Sequence, residues 1–352
     1  MEHQPNVLLV VLDSVRASNT SIHGHENDTT PFLLSLSQSE TLYTQARAPG
    51  TESISSHTSM FTGYTVREHG ITDRRAQLTQ GHTIWEELAN QGYATGVFSS
   101  NPFLTELPVG LSNGFDTVVG RSIEQPYPEA VNPKRFVVDS PDAGLRKYSS
   151  FLRAVADNGN IVGSIANGLS FKFNSRQLPK RLQPDGSAEQ YVDHFIRWFK
   201  NKDQPWAACL NLMDAHYSYE PDPAHDHWGG EKIKSIQAAV TDQAWEFVAG
   251  DRPWGQRQAL ESLYDGAIHQ ADAALRRVVN TLEKSEMLDN TLIIVTADHG
   301  EGFGERSLVR PDARIVGHGN GGIHECVLHV PLVVSYPWSV GGGEYDKLAS
   351  LA

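Results

Sequence analysis

The chain has 352 residues, of which 39% are hydrophobic and 20% are charged, and this composition excludes a disordered chain and a disulfide-stabilised mini-protein. The formal net charge of −13 argues against nucleic acid or an anionic membrane as the main partner. The two cysteines, Cys209 and Cys326, exclude a disulfide framework. The length fits one large domain or two moderate ones, and we expect a single domain over 1–352.

The N-terminus carries no recognisable targeting segment. Residues 1–5 are polar, and the apolar run Val7–Leu12 that follows is far shorter than the roughly 20 residues that span a bilayer. The basic flank and the small-residue cleavage site of a signal peptide are missing. We therefore expect a cytoplasmic protein without a membrane span.

Short apolar runs alternate with helical patterns along the chain. The runs are continuous, which is typical of strands buried on both faces of a parallel sheet, and they cover Val7–Leu12, Ala94–Phe98, Trp206–Met213, Thr291–Thr296 and Val330–Tyr336. Capping signals or amphipathic stripes predict helices after Thr30, after Thr83, over Ser187–Lys200 and over Leu260–Leu282. This alternation predicts an α/β fold with a mostly parallel central sheet and helices on both faces.

The stretch from about 120 to 186 interrupts the alternation. It is polar, rich in proline and glycine, and locally basic at Lys172, Arg176, Lys180 and Arg181. We interpret it as an insertion in the α/β domain. Two hypotheses stay open for it, a lid or substrate-selecting cap and a solvated loop without a role.

Three of the predicted strands end in aspartate. Asp13 follows the first strand, Asp214 follows the third with His216 close by, and Asp298 with His299 follows the fourth. Ligands of an open parallel sheet bind at the carboxyl ends of its strands, so these side chains should meet at one edge. A single aspartate there is usually a turn former or a helix cap, but three of them with two histidines favour a metal site. Oxygen and nitrogen ligands suit Ca²⁺, Mg²⁺, Mn²⁺ or Zn²⁺, and the sequence does not choose among these ions.

Two further segments could complete such a site. His318 lies between two glycines, which would let the backbone approach a ligand, although a turn histidine is the simpler interpretation. Ser53 lies where a loop enters a short helix, beside the free N–H groups and the positive end of the helix dipole. A serine there is often only a helix cap. Next to a divalent cation, however, its hydroxyl loses a proton more easily and can attack phosphorus or sulfur.

In their order along the chain, these segments resemble the sulfatases and their relatives in the alkaline-phosphatase superfamily. The similarity runs from Pro5 to Tyr336, and the insertion matches poorly. It rests on the segments Pro5–Arg16, Thr29–Pro31, Met60–Gly63, Asn113–Asp116, Asp214–Tyr219 and Thr296–Glu301.

The resemblance implies an alkaline-phosphatase-like fold and a role for each candidate residue. One divalent ion would be bound by Asp13, Ser53, Asp298 and His299, with Ser53 as the nucleophile. His216 would take part in catalysis as a leaving-group acid. The substrate contacts would be His57, Asn101 and His318. A second ion held by Asp214 and His318 stays open.

The chain departs from the family pattern in several places. Sulfatases carry Cys/Ser-x-Pro-x-Arg and oxidise its first residue to formylglycine, but Ser53–His57 lacks the proline and the arginine. This difference favours an unmodified serine and phosphoryl transfer. Ser14 replaces a second acidic residue after the first strand, and Ser218 replaces the histidine of the two-metal phosphatases. The small C-terminal subdomain of the family is expected to be absent or truncated.

The sequence thus predicts a metal-dependent hydrolase that cleaves the sulfate or phosphate ester of a small molecule, a glycan or a lipid. A phosphoglycerol-transferase-like phosphotransferase or a phosphodiesterase is the alternative within the same chemistry. A non-catalytic module that binds an anionic glycan or lipid headgroup is the alternative of another class. No nucleic-acid partner is expected, and the oligomeric state is not predicted.

Overall fold

A computed structural model describes residues 4–120, 127, 129–133, 136, 145–174, 187–242, 244–319, 322–338 and 341–352. The chain divides into two units, one formed by Met1–Arg121 with Gly186–Ala352 and one formed by Ser122–Asp185. The second unit corresponds in sequence to the predicted insertion. Of the basic residues noted there, Arg176, Lys180 and Arg181 lie outside the described residues.

The first unit is built on a central β-sheet. Its strands are β1 (Asn6–Leu12), β2 (Thr41–Arg47), β3 (Ala94–Phe98), β4 (Thr117–Val119), β5 (Trp206–Leu212), β6 (Thr291–Thr296), β7 (Gly302–Arg306), β8 (Arg314–Gly317), β9 (Leu332–Ser335) and β10 (Glu344–Ser350). Eight of these strands form one sheet in the order β10-β2-β9-β6-β1-β5-β3-β4, and β7 pairs with β8 in a separate hairpin.

Five of the seven strand pairings in the large sheet are parallel, which confirms the predicted fold class. The direction predicted for Val330–Tyr336 is wrong, because β9 runs antiparallel to both β2 and β6. A continuous apolar run indicates burial on both faces but carries no information about strand direction.

Helices flank the sheet. In the first unit they are α1 (Pro31–Ser37), α2 (Ser53–Thr62), α3 (Val66–His69), α4 (Ile84–Asn90), α5 (Pro102–Thr105), α8 (Ala188–Phe199), α9 (Glu231–Ala238), α10 (Trp245–Val248), α11 (Trp254–Ala259), α12 (Glu261–Lys284) and α13 (Glu325–Leu328). The second unit contains α6 (Leu145–Asn158) and α7 (Ile161–Asn174). No helix in the described ranges is both long and apolar enough to cross a bilayer.

Strand β1 contributes side chains to two hydrophobic clusters, one on each face of the sheet. Leu8, Val10 and Leu12 belong to the cluster that contains the buried faces of α8 and α12. Val11 belongs to the opposite cluster, with residues of α2 and α4. Successive side chains of a strand point to opposite faces, so the continuous apolar sequence of β1 is explained by helices on both sides. This packing fixes the ends of β1 and its two neighbours, where the candidate site lies.

Candidate metal centre and nucleophile

Two neighbouring parallel strands place three candidate ligands together. Strand β6 pairs with β1 in parallel, and Asp13 and Asp298 follow their carboxyl ends. The ligand atoms of Asp13, Asp298 and His299 lie within 4.8 Å of one another, and all three side chains are buried. The structure therefore brings together three of the four predicted metal ligands at the expected edge of the sheet.

Hydrogen bonds fix one oxygen of Asp298 and leave the other open. Its Oδ1 accepts the backbone N–H of Ser14 at 3.1 Å and that of His299 at 3.0 Å. Ser14 adopts a left-handed backbone with φ 65°. The Oδ2 atom of Asp298 is buried and accepts no hydrogen bond in the described part of the chain. A buried carboxylate oxygen without a donor is costly, and a bound cation would offset that cost.

Amide side chains orient Asp13. Its Oδ2 accepts the Nδ2 donors of Asn101 and Asn211, each at 3.2 Å, and its Oδ1 accepts the Ser14 hydroxyl at 3.0 Å. The Oδ1 atom of Asn101 accepts the N–H of Phe103 at 3.0 Å, and Asn101 thereby caps the N-terminus of α5. Asn101, which we predicted to contact substrate, thus contacts the candidate metal ligand Asp13.

The ring of His299 turns an unprotonated nitrogen toward Ser53. Its Nδ1 lies 3.0 Å from the carbonyl oxygen of Gly300, which can only accept, so Nδ1 carries the proton. Burial, together with the nearby His318, lowers the pKa of His299 to about 3, so the ring is neutral. The Nε2 lone pair then lies 3.3 Å from Ser53 Oγ and 3.4 Å from Asp298 Oδ2.

Ser53 is the first residue of α2, where we expected a loop to enter a short helix, and the cap position itself is occupied by Glu52. The predicted substrate contact His57 lies one turn later and is fully buried. Its Nδ1 donates to the carbonyl oxygen of Ser53 at 2.9 Å and lies 3.6 Å from Asp298 Oδ2. Its ring packs edge-on against Phe61, and its Nε2 has no hydrogen-bond partner among the described residues. His57 therefore holds the backbone of Ser53 from within α2 and is buried away from any substrate.

Two predicted histidines extend the site in a row. The ring of His318 stacks on His299 with centroids 4.2 Å apart, and the ring of His216 meets His318 edge-on at 5.1 Å. The Nδ1 of His318 lies 2.7 Å from an oxygen of Glu301, and this buried carboxylate also pairs with the buried Arg257 at 2.6 Å. Burial lowers the pKa of His318, but Glu301 outweighs it and raises the pKa to about 9.

The two residues predicted to hold a second ion have separate partners. His318 pairs with Glu301, as described above. The carboxylate of Asp214 accepts the N–H of Ala188 at the start of α8 at 3.2 Å and the amide of Gln270 at 2.5 Å. Burial raises the pKa of Asp214 to about 6 despite these donors. Asp214 thus accepts hydrogen bonds from α8 and α12. The binding of a second ion by Asp214 and His318 stays a prediction.

The charges at the centre fit a divalent cation. Asp13 and Asp298 are fully buried, and no lysine or arginine within the described ranges forms an ion pair with either. Two buried carboxylates without a cation are strongly unfavourable. Two carboxylates, one neutral imidazole and a neighbouring hydroxyl form a donor set of oxygen and nitrogen that suits the ions considered above.

Comparison with known proteins identifies the family of the chain. The model of the sulfatase family matches residues 5–346, which is nearly the whole chain. The chain belongs to the sulfatase family. This membership confirms the resemblance inferred from the motifs, and with it the predicted enzyme class, a hydrolase of sulfuric or phosphoric esters.

Individual relatives are distant. An N-acetylgalactosamine-6-O-sulfatase of Bacteroides thetaiotaomicron is 22% identical over 396 residues, covering 99% of this chain and 70% of that protein. The phosphonate monoester hydrolase of Agrobacterium radiobacter has a TM-score of 0.67 at 20% identity, covering 99% and 71% of the two chains. A structure with its substrate D-glucosamine-2-N,6-O-disulfate has a TM-score of 0.63 at 15% identity, covering 99% and 74%. At such identities the structures establish the shared fold.

Sequence reasoning missed three residues that support the site, Asn211, Arg257 and Glu301. Asn211 had a visible signal, because it is the one strongly polar residue in the otherwise apolar strand β5. Glu301 was part of a quoted motif, but its burial between a histidine and an arginine could not be read from the motif. Arg257 lies in a polar, irregular stretch with no local sign of burial.

Proposed function

We propose that this member of the sulfatase family hydrolyses phosphate or phosphonate esters, with Ser53 as an unmodified nucleophile beside one divalent ion. Asp13, Asp298 and His299 would hold the ion. The observation that carries the proposal is the 3.3 Å separation between Ser53 Oγ and His299 Nε2, next to Oδ2 of Asp298, which accepts no hydrogen bond from any described residue. At this distance the Ser53 hydroxyl is a neighbour of the candidate ligands Asp298 and His299.

When bound, the ion would neutralise the negative charge that develops on the serine oxygen and on the ester oxygens. The chain itself supplies the position of the nucleophile. Because Ser53 opens α2, the N–H groups at the very start of the helix have no carbonyl partner within it and would be available to bind an anionic ester. The bond from His57 to the Ser53 carbonyl holds this turn in place.

The reaction would proceed in two displacements. Ser53 Oγ loses its proton to solvent and forms a bond to phosphorus as the bond from phosphorus to the alcohol oxygen breaks, and the leaving alcohol takes a proton from His318 or His216. Water then gives one proton back to that histidine and attacks the phosphorus, the bond from phosphorus to Ser53 Oγ breaks, and the serine oxygen takes a proton from solvent as phosphate or phosphonate is released. The bond of His318 to Glu301 and its stacking on His299 support this role.

Two features favour phosphorus over sulfur. The segment Ser53–His57 lacks the proline and arginine of the sulfatase signature, so oxidation to formylglycine is not expected. His57 takes the place of that arginine and lies inside the helix packing, where it contacts the backbone of the nucleophile. The resemblance in fold to a phosphonate monoester hydrolase is consistent with this choice.

The proposal is tested by comparing three aryl esters on the metal-loaded protein. Aryl phosphate, aryl phosphonate and aryl sulfate are assayed in parallel, and the peptide containing Ser53 is weighed by mass spectrometry. We expect an unmodified serine and a larger kcat/KM for a phosphorus ester than for the sulfate. A peptide lighter by two hydrogens, together with faster sulfate cleavage, would instead establish a formylglycine sulfatase.

The same assay separates hydrolysis from phosphotransfer. With an alcohol such as glycerol added, a transferase would form glycerol phosphate as the main product, whereas a hydrolase would release phosphate. A protein that binds the ion but turns over none of the esters, with or without an acceptor, would favour the non-catalytic module.

A further inference from the structure

Three histidines that the proposed function does not use lie together in the first unit. His225 and His227 belong to the loop that precedes α9, and His269 lies on α12. The Nδ1 atoms of His225 and His269 are 2.9 Å apart, and the ring centroid of His227 lies 4.9 Å from that of His269. His225 and His269 are half-buried and His227 is exposed, so this histidine cluster is open to solvent.

A glycine of α12 lets the loop come close enough for this contact. Gly266 lies about one turn before His269, and a Cβ atom at that position would lie 2.9 Å from the carbonyl oxygen of His225, closer than packed atoms approach each other. One residue after His269, the buried side chain of Gln270 accepts the N–H of Asp222 at 2.8 Å. The loop is therefore held against α12 both before and after His269 along the helix.

The acidic residue between the two loop histidines has other partners. The carboxylate of Asp226 accepts the N–H groups of Gly229 and Gly230, each at 3.1 Å, and pairs with Lys234 at 2.8 Å. Asp226 thus shapes the turn that leads into α9. The groups that the histidine cluster offers to a ligand are therefore imidazole nitrogens.

The facing nitrogens of His225 and His269 suit a cation placed between them. Burial lowers the pKa of both histidines, so both rings are neutral at pH 7, and neutral imidazole is the form that binds metals. The two Nδ1 atoms at 2.9 Å can share only one proton. A tetrahedral ion about 2.0–2.1 Å from each nitrogen would hold them about 3.3 Å apart, so the rings need to separate by only about 0.4 Å.

We propose that His225, His227 and His269 form a binding site for a divalent transition-metal ion such as Zn²⁺. Because His227 is exposed, its ring can turn toward the other two. Three imidazoles leave the fourth tetrahedral position to water. Imidazole suits Zn²⁺, Ni²⁺ and Cu²⁺, whereas Mg²⁺, Ca²⁺ and Mn²⁺ prefer oxygen ligands. The ion would tie the loop to α12, and this site does not depend on the proposed esterase function.

The test titrates the full chain carrying Asp298→Asn with Zn²⁺ by calorimetry. This substitution weakens the candidate metal centre, so the Zn²⁺ that still binds is held by other residues. We expect Zn²⁺ to bind, and the added substitutions His225→Gln/His269→Gln to weaken the binding of one Zn²⁺ per chain by at least about 100-fold. Even the partners of a metal ligand account for about 10–100-fold in affinity, and here two ligands are lost. Mg²⁺ should not bind to the histidine cluster.

Two further variants of the Asp298→Asn chain serve as controls. His82→Gln alters an exposed histidine of the first unit whose ring lies beside Tyr64, and it should leave Zn²⁺ binding unchanged. His227→Gln alters an exposed side chain that the fold should tolerate, and loss of the third nitrogen should weaken Zn²⁺ binding about tenfold or more. Circular dichroism checks that each variant is folded.

Two results would overturn the proposal. One is a folded Asp298→Asn chain that binds no Zn²⁺, or binds it with the same affinity after His225→Gln/His269→Gln. The other is an equal loss of affinity in His82→Gln, which would show that any histidine of the surface contributes as much as the cluster.

Discussion

The imidazole of His299 is held between the Gly300 carbonyl and the hydroxyl of Ser53. Its Nδ1 is fixed by the carbonyl at 3.0 Å, so its Nε2 faces Ser53 Oγ at 3.3 Å as an acceptor. The two residues are 246 positions apart in sequence, and the parallel sheet with α2 brings them together. This contact links the proposed nucleophile to the proposed metal ligands.

Replacing the nucleophile should abolish turnover without unfolding the protein. We expect Ser53→Ala to lower kcat/KM for the best aryl ester by about 10³-fold or more, since the attacking oxygen is lost. Ser55→Ala is the matched control. It is a buried serine of the same helix, but its hydroxyl bonds the Glu52 carbonyl, so its loss should change kcat/KM by less than about tenfold. Equal effects of the two substitutions would refute the assignment.

Divalent ions should stabilise the fold through Asp298. At a concentration about 100 times the dissociation constant, an ion that binds only the folded state adds about 2.7 kcal/mol. We expect a higher melting temperature with the ion than with a chelator in the parent protein, and little difference in Asp298→Asn. Asp28→Asn alters an exposed aspartate and should keep the full metal response. An Asp298→Asn protein that responds like the parent would show that the ion binds elsewhere.

The buried ion pair of Arg257 with Glu301 should matter more for stability than an exposed pair. Both side chains are fully buried, and Arg257 also donates to the carbonyl of Gly302 at 2.7 Å. Arg257→Leu leaves Glu301 without its arginine partner, and we expect a loss of about 3–5 kcal/mol in the free energy of unfolding. Arg277→Leu removes a 41% exposed arginine that pairs with Glu189 and should cost less than about 1 kcal/mol. Urea titration measures both, and similar costs would contradict this account.

The sequence predicted five strands of the sheet and the cluster of candidate metal ligands because both depend on local patterns. Continuous apolar runs identified five strands. The positions that follow two of these runs identified Asp13 and Asp298 as candidate ligands. Strand β10 was missed because six of its seven residues are exposed, so it has no apolar run. The direction of β9 was predicted wrongly because burial is independent of direction.

Contacts between distant segments could not be predicted from local patterns. The bond from Asn101 to Asp13 and the partners of Asp214 depend on which strands and helices become neighbours in space. The same holds for His57. Its type and position suggested a substrate contact, whereas its bond to the Ser53 carbonyl depends on the geometry of α2.

Stability should depend on pH through Asp272, a buried residue of α12 that is not among the candidate metal ligands. Burial raises the pKa of Asp272 to about 7, although its carboxylate accepts the N–H groups of Phe32 and Leu33. A raised pKa means that this group's contribution to stability is complete below about pH 4 and is lost as the pH rises through about 7. Relative to Asp272→Asn, the parent should therefore be more stable at pH 5 than at pH 8. An equal difference in unfolding free energy at both values would contradict the shift.

The most direct test of the account is a crystal structure of the protein grown with Mn²⁺, with anomalous diffraction to locate the ion. We expect one strong anomalous peak about 2.0–2.6 Å from carboxylate oxygens of Asp13 and Asp298 and from Nε2 of His299, with Ser53 Oγ beside it. A peak at other side chains, or none at this centre at saturating Mn²⁺, would contradict the central claim.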